Sequence, residues 1–321
     1  MSISPDTLAM WERLATQRGQ VDPFCCTPKW QVPFHEAFTP AWPLFVAASA
    51  GSLVAFAVAP LPEEAHALVP IESHWCFGCP VLGPDAIDLL LDTLRARPDI
   101  TTVAISGTQP QSPQQHALVV AAGRGFRAGV RDDGIQCAAS LEGGFDGFLS
   151  RRPASLRKNL RTAARRAQQA GMTFERVCPT TLPDAIDTYA RMIAVEQTSW
   201  KGLGDCGMAT GQAKVFYDLM LRRLALTGDG RVIFAKLGER DVGFIFGGLA
   251  GGYYRGQQFS FDESCRHLSV GHLMQIEQLR WLCEDGVTRY DMGPLSGPRM
   301  AYKAPWAERH MPLQTLVLVR R

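Results

Sequence analysis

The chain has 321 residues, a length that suggests one large domain or two domains of ordinary size. A hydrophobic fraction of 46% and a charged fraction of 20% are typical of a globular protein and exclude a largely disordered chain. Because the formal net charge is only +2, the composition does not indicate a large nucleic-acid footprint.

The sequence shows no signal for secretion, membrane insertion or metal binding. Residues 1–11 contain acidic groups and no apolar core, so we expect no signal peptide. The longest apolar stretch, 44–61, is interrupted by two serines and a glycine, which favours two strands around a turn over a membrane span. The nine cysteines are scattered, and the CxxC pair Cys76 and Cys79 lacks a second pair at zinc spacing. We therefore expect a cytoplasmic protein with reduced thiols and no metal.

Helices and strands alternate in the first 140 residues. Apolar spacing predicts helices over 5–18, 84–97 and 114–123, and strands over 44–49, 53–59, 100–106 and 135–141. Thr27 followed by Pro28 predicts a further helix start, because proline is favoured at the first helical position.

A glycine-rich junction at 143–147 separates this half from a second one with a similar pattern. Helices are predicted over 148–170, 182–197, 211–227 and 270–285, and strands over 173–177, 231–237, 241–249, 252–261, 288–292 and 313–319. This order predicts an α/β fold with a mixed α+β sheet. We expect two domains of similar architecture packed side by side, an N-terminal domain over 1–145 and a C-terminal domain over 146–321.

Basic residues are concentrated at the start of the second half. Seven cations and no acid lie between residues 151 and 170: Arg151, Arg152, Arg157, Lys158, Arg161, Arg165 and Arg166. Of these, Arg157, Arg161 and Arg165 recur every four residues and therefore share one helix face. This pattern predicts a solvated face that also meets an anion, which could be the adenosine phosphate of a cofactor, an acidic acceptor or RNA.

The loop between the strand 252–261 and the helix 270–285 has the features of a phosphate site. A helix N-terminus presents unpaired amide hydrogens and the positive end of the helix dipole, a geometry that binds phosphate. Small residues at Ser269 and Gly271 allow the backbone to approach a ligand closely. Arg266 adds a fork of donors suited to pyrophosphate.

This loop reads R-x-x-S-x-G, and its neighbours form a wider pattern. The neighbouring motifs are Phe259-Ser260-Phe261-Asp262, Arg289-Tyr290-Asp291-Met292-Gly293-Pro294, Tyr302-Lys303-Ala304-Pro305-Trp306 and the basic run 155–166. Together they resemble the CelD/BcsL-type acetyltransferases, a branch of the GNAT superfamily related to the Fem aminoacyl transferases. GNAT enzymes carry R/Q-x-x-G-x-G/A at this position, so Ser269 departs from the pattern.

The resemblance implies an acyl-CoA site in the C-terminal domain. The residues expected to hold the pyrophosphate of acetyl-CoA or a longer acyl-CoA are Arg266, His267, Leu268, Ser269, Val270, Gly271 and His272. No comparable loop precedes residue 140, so we expect the N-terminal domain to be supportive.

N-acyl transfer requires a base for the amine, a donor for the thioester oxygen and an acid for the leaving thiolate. Glu196, at the end of the helix 182–197, and Asp291, within the strand 288–292, are the candidate bases. For Glu196, the equally weighted alternative is a solvated acid at a helix end. For Asp291, it is a carboxylate that only forms a hydrogen bond to a nearby loop. The resemblance implies a tyrosine as the acid, and Tyr302 is the candidate.

Five further residues are candidates for substrate binding. Trp200 and Lys201 follow Glu196 and could line an acceptor pocket. Tyr254 and Arg255 lie on the strand that would flank the thioester, although aromatic residues on strands more often belong to the core. Lys303 could hold a phosphate or an acceptor carboxylate.

Three functions remain open at this point. The first is direct transfer of an acetyl or longer acyl group from acyl-CoA to an amine on a small molecule, a sugar or a peptide side chain. The second is a Fem-type transferase that uses aminoacyl-tRNA, although the near-neutral total charge does not favour nucleic acid. The third is a GNAT domain that binds without catalysis, motivated by Ser269. The acceptor, the acyl length and the oligomeric state are not determined by the sequence.

Overall fold

The computed structural model describes residues 3–17, 21–204, 206–295 and 297–321. The chain divides into two compact units: unit 1 is 1–136 with 311–321, and unit 2 is 137–310. The chain leaves unit 1 within one long strand and returns to it within the last strand. Residues 311–321, which include most of the last strand, therefore lie in unit 1. The sequence pattern had placed all residues from 146 to 321 in the C-terminal domain.

Among the residues that the structure describes, unit 1 contains four α-helices. Its elements are α1 (Pro5–Ala15), α2 (Pro28–Phe38), β1 (Leu44–Ala48), β2 (Leu53–Pro60), β3 (His66–Val69), β4 (Val81–Leu82), α3 (Ala86–Ala96), β5 (Ile100–Thr108), α4 (Pro113–Ala122) and the first part of β6 (Phe126–Ser140). The predicted hairpin is confirmed, with Ala48 opposite Leu53. The short strands β3 and β4 were missed, because segments of two to four residues carry too few positions to show a period.

The sheet order in unit 1 is β1-β2-β3-β5, followed by the C-terminal strand β12 (Arg309–Arg320), with β4 pairing β2. β12 runs antiparallel to β5 with Val319 opposite Thr102, and this pairing attaches residues 311–321 to unit 1. Leu316 and Leu318 of β12 are fully buried in the core formed under α3 and α4.

Among its described residues, unit 2 contains six α-helices and the strands from β7 to β11. Its elements are α5 (Gly144–Ser150), α6 (Ala154–Gln169), β7 (Met172–Val177), α7 (Leu182–Thr198), α8 (Trp200–Leu203), α9 (Gly211–Ala225), β8 (Gly230–Leu237), β9 (Arg240–Ala250), β10 (Tyr253–Phe261), α10 (Val270–Glu284) and β11 (Arg289–Pro294). The single helix predicted over 148–170 is instead two helices, α5 and α6, which are separated at Pro153 because proline cannot continue a helix without losing a hydrogen bond.

The strand order in unit 2 is β7-β8-β9-β10-β11, with β6 beside β11. The pairs from β7 to β10 are antiparallel, whereas β10 and β11 are parallel. A parallel pair needs a crossover connection, which α10 supplies. The predicted mixed α/β fold is confirmed. Within the described ranges, no helix is long and apolar enough to cross a bilayer.

Candidate active site

The pairing of β10 with β11 ends partway along both strands. The two strands are in register at Tyr253, Tyr254 and Arg255 of β10, the last of which lies opposite Asp291. Both strands continue beyond this point, to Phe261 and to Pro294. On its other side, β10 shifts register against β9 between residues 256 and 258, which marks a bulge at Gln257. A bulge bends its strand and ends local pairing, so an opening forms between β10 and β11.

A cavity of about 50 Å³ occupies this opening. It is lined by residues of β9, β10, α10, β11 and the segment after β11: Ile245, Phe246, Gly256, Gln257, Gln258, Phe259, Gln275, Tyr290, Met292, Tyr302 and Lys303. Two of the residues singled out from the sequence, Tyr302 and Lys303, are among them. Two of the predicted site residues therefore line a cavity in unit 2.

Gln257 has a side-chain donor that forms no hydrogen bond to the described part of the protein. Its side-chain Nε2 is buried and has no hydrogen-bond partner. Buried polar groups are nearly always paired, so a donor left open at a cavity indicates a ligand or water as its partner. The neighbouring Gln258 is occupied, because it accepts from Lys201 Nζ at 2.8 Å and donates to the Tyr217 hydroxyl at 2.8 Å.

Lys303 is a buried amine at the edge of the cavity. Its side chain donates from Nζ to the Pro294 carbonyl at 2.8 Å, and the residue is 7% exposed. Burial lowers the pKa of Lys303 to about 8, with a further lowering by the Arg255 guanidinium. At neutral pH this amine is close to its own titration range and can exchange protons.

Tyr302 lies next to Lys303 and packs its ring edge-on against Phe259, with centroids 5.3 Å apart. Burial raises the pKa of the Tyr302 phenol, so the phenol keeps its proton at physiological pH. The pair therefore joins a protonated phenol and a titratable amine at one end of the cavity.

The predicted phosphate loop leads into a helix as expected. α10 begins at Val270, and the preceding Ser269 has φ 59°, a left-handed conformation. Glycine adopts this conformation without strain, so the backbone at residue 269 has a conformation that favours glycine although the residue is serine. At Gly271 an added Cβ would lie 3.0 Å from the Phe259 ring and 3.4 Å from the Phe261 ring. Packing beside these two rings therefore also explains why a small residue stands at 271.

The side chains of this loop differ in their surroundings. Arg266 is 68% exposed and pairs with Glu263 at 2.8 Å, so a ligand would have to compete with that carboxylate. His267 is exposed and its Nδ1 lies 3.1 Å from the Ser264 carbonyl. His272 stacks on Trp306, and burial lowers its pKa. Leu268 and Val270 are buried in the apolar core beside α10.

Glu196 and Lys201 lie at the end of α7 and the start of α8. Glu196 is fully buried, and its Oε1 accepts from the Met208 amide at 3.0 Å while Oε2 has no partner. Lys201 reaches the cavity wall, donating to the Phe259 carbonyl at 2.8 Å. Burial lowers the pKa of Lys201, and Glu196 opposes that shift. Trp200 is half exposed beside them.

Asp291, Arg255 and Tyr254 are buried on the paired part of the two strands, before the cavity. Asp291 Oδ1 accepts from Arg289 Nε at 2.8 Å. Arg255 donates to the Gly256 carbonyl at 2.8 Å. The Tyr254 hydroxyl is buried without a partner, and burial raises its pKa. None of Glu196, Asp291 and Tyr254 lines the cavity.

Gln257 and Gln275 line the cavity but were not singled out from the sequence, whereas Tyr290, which also lines it, belongs to the motif 289–294. The sequence context of the two glutamines gives no signal, since glutamine on a strand or helix is common at solvated faces. Only the bulge at 257 and the end of the β10–β11 pairing bring them to one space. In the part of the chain that the structure describes, no group of three His, Cys, Asp or Glu residues could hold a metal ion.

Comparison with protein families identifies the region that contains this cavity. Residues 154–304 match the family model described as Acetyltransferase (GNAT) domain. This region is therefore similar to GNAT acetyltransferase domains. The match includes β10, α10, β11 and the Tyr302–Lys303 pair, and it spans just under half of the chain. The narrower resemblance to the CelD/BcsL type stays a prediction.

Solved structures share the fold over almost the whole chain. FemX has a TM-score of 0.68 at 12% identity, covering 98% of this chain and 96% of its own. A conserved protein of unknown function from Bacteroides thetaiotaomicron has a TM-score of 0.65 at 12% identity, covering 100% and 99%. L-PGS from Bacillus licheniformis has a TM-score of 0.60 at 15% identity, covering 99% and 92%. At these identities the likeness shows the fold alone. No curated protein matches the sequence.

Proposed function

We propose that this protein is an N-acyltransferase that moves an acetyl or longer acyl group from acyl-CoA directly to an amine. The observation that carries the proposal is the opening between the parallel strands β10 and β11, with the N-terminus of α10 next to it. A thioester in the opening and a pyrophosphate at the helix end would place both parts of acyl-CoA against groups that suit them.

The residues present fit such a co-substrate. The orphaned Gln257 Nε2 would donate to the thioester oxygen, where charge develops during attack. At the helix end, Gly271 adds no side chain beside the first backbone amides of α10. The left-handed Ser269 turns the chain so that the helix starts at Val270.

In the proposed reaction the amine nitrogen forms a bond to the acyl carbon, and the bond between that carbon and the sulfur breaks. Lys303 in its neutral form accepts the proton that the attacking amine loses. Tyr302 donates a proton to the leaving thiolate. Transfer of the proton from Lys303 to Tyr302 then restores both groups, which are adjacent in the chain and at the same cavity.

Glu196 and Asp291 take different roles in this proposal. Each is buried outside the cavity lining. Glu196 would fix the segment at Met208 and favour the charged form of Lys201, which in turn bonds Gln258 at the cavity. Asp291 would hold Arg289 at the paired end of the strands. Both would act as positioning residues, and Glu196 is the better test because a glutamine at 196 keeps an acceptor for the Met208 amide.

Isothermal titration with acetyl-CoA and with longer acyl-CoAs tests the co-substrate. Binding at micromolar or better affinity is expected, and the dependence on chain length would give the acyl group. If no acyl-CoA binds to folded protein, the proposal fails. Turnover with an amine panel, measured by free thiol release, then separates an enzyme from a GNAT domain that only binds.

A Fem-type transferase that uses aminoacyl-tRNA is the second candidate. The unpaired cations of α6 favour it, because phosphate contacts by Lys and Arg drive nucleic-acid affinity. Such a protein should shift tRNA in a gel, and the shift should weaken steeply between 50 and 200 mM salt, as is typical of about six or more phosphate contacts. A tRNA shift without acyl-CoA binding would support this candidate over the first.

A further inference from the structure

A second hollow, of about 280 Å³, lies in unit 2 between α5, α6, β7 and α10. We call it the α6 groove. Its lining combines an apolar floor with charged residues: Phe145, Leu149, Leu160, Ala164, Ala167, Met172, Phe174, Leu273 and Ile276 are apolar, and Arg157, Arg161, Gln168, Glu277 and Arg280 are polar. It shares no lining residue with the cavity between β10 and β11.

The charges of α6 are not neutralised by the protein. Five cations on this helix form no ion pair and no side-chain hydrogen bond among the described residues: Arg157, Lys158, Arg161, Arg165 and Arg166. By contrast, Arg151 and Arg152 just before the helix both pair with Glu308. The one acid at the groove, Glu277, is bonded to Arg176 and also lies near Arg280. The rim of the groove therefore carries excess positive charge.

The helix periodicity explains why charge and apolar surface meet here. Leu160, Ala163 and Ala167 face the core of unit 2 and are buried. Arg157 and Arg161, one turn apart, stand at the groove edge. Ala164 follows one turn after Leu160 and lines the groove as an exposed residue, where its small side chain leaves space that a longer residue would fill. The helix thus places apolar residues and two unpaired guanidinium groups at the same groove.

We propose that the α6 groove binds one acyl chain of an anionic phospholipid, with the lipid phosphate between Arg157 and Arg161. Since a water occupies about 30 Å³ in the liquid and a methylene group is of similar size, the groove admits about nine methylene groups. An anionic phospholipid presents a negative headgroup and an apolar chain, and the groove offers a basic rim for the first and an apolar floor for the second. This goes beyond acyl transfer and assigns a second site.

Nucleic acid fits the same charges less well. RNA is recognised through phosphates and through bases stacked on exposed aromatic rings. The floor of the groove is instead mostly aliphatic, with Phe145 packed under the Arg280 guanidinium at 4.8 Å. An aliphatic slot of this size therefore favours a lipid chain over a base.

Flotation with vesicles of phosphatidylglycerol and phosphatidylcholine tests the proposal on the full-length protein. Binding is expected to anionic vesicles and not to vesicles of phosphatidylcholine alone. The double variant Arg157→Gln/Arg161→Gln should weaken binding about 30-fold, from about fivefold for each basic residue at the membrane surface. Ala164→Trp fills the slot without changing charge and should weaken binding at least tenfold, since each methylene group contributes about fourfold.

The matched control is Lys158→Gln/Arg166→Gln, which removes the same charge from the same helix outside the groove and outside the row of Arg157 and Arg161. It should change binding less than threefold. Equal losses from the two double variants, with Ala164→Trp unaffected, would overturn the proposal in favour of a diffuse charged surface. A tRNA shift without vesicle binding would overturn it in favour of nucleic acid. An unfolding temperature within 2 °C of the parent, about 1 kcal/mol or less in a chain of this size, confirms that each variant is folded.

Discussion

Gly271 offers the sharpest test of the acyl-CoA site. It is the second residue of α10, where backbone amides would meet a pyrophosphate. Gly271→Glu would introduce a carboxylate next to that pyrophosphate. A negative charge at a helix N-terminus is favourable for the helix itself, so the charge should not disrupt folding. We therefore expect the substitution to act on the ligand.

The magnitude can be estimated from Coulomb's law. With an effective dielectric constant of about 20 and a separation of about 6 Å, two unit charges repel by about 3 kcal/mol. That energy corresponds to about 100-fold weaker acyl-CoA binding. Residue 271 is half-buried, so solvent screening is partial and the loss should remain above tenfold.

The matched control is Gly271→Ala. It has the same Cβ, 3.0 Å from the Phe259 ring, without the charge. A flexible ring edge can move by a few tenths of an ångström, and alanine favours helix over glycine by about 1 kcal/mol. We therefore expect binding within threefold of the parent and an unchanged unfolding temperature.

Isothermal titration with acetyl-CoA measures all three proteins. Unchanged affinity in Gly271→Glu would refute the placement of the pyrophosphate at this helix end. Equal losses in the alanine and glutamate variants would refute the electrostatic reasoning, because the effect would then come from crowding against Phe259. Added salt should reduce the glutamate effect, since it screens the repulsion.

Three further predictions concern catalysis. If Lys303 is the base, kcat/KM should rise with pH through about 8, because the neutral amine forms around its folded-state pKa. The variant Lys303→Gln should remove this ionisation from the pH profile. A pH profile that the variant leaves unchanged would contradict the role. Gln257→Leu should lower kcat about 100-fold with little change in KM, as is typical for loss of an oxyanion donor, whereas a change in KM alone would indicate ground-state binding. Glu196→Gln keeps an acceptor for Met208 and should cost less than tenfold in kcat; a loss above 100-fold with an unchanged unfolding temperature would instead identify Glu196 as the base.

The sequence alone was sufficient for the elements that build the site. Alternating and helical spacing located β10 and α10 to within one residue, because each is nine residues or longer and periodic. The loop chemistry at 269–271 indicated a ligand at the start of α10. Tyr302 and Lys303 were also found, as they stand in a motif with Trp306.

Other site features depend on long-range pairing and could not be read from the chain. The bulge at Gln257 exists only because β10 shifts its register against β9. The lowered pKa of Lys303 comes from burial beside Arg255, which is 48 residues away in sequence. The membership of residues 311–321 in unit 1 is likewise decided by the pairing of β12 with β5.

Sequence therefore determined which residues form the longer strands and helices and which helix start could bind an anion, since these are local properties of the backbone. Tertiary structure decided where β10 and β11 part, which glutamine is left with an unused donor, and which of the cations on α6 stay unpaired. Those outcomes depend on the partners that folding brings to each group. The same helix spacing that placed seven cations together could not show that a groove lies under two of them.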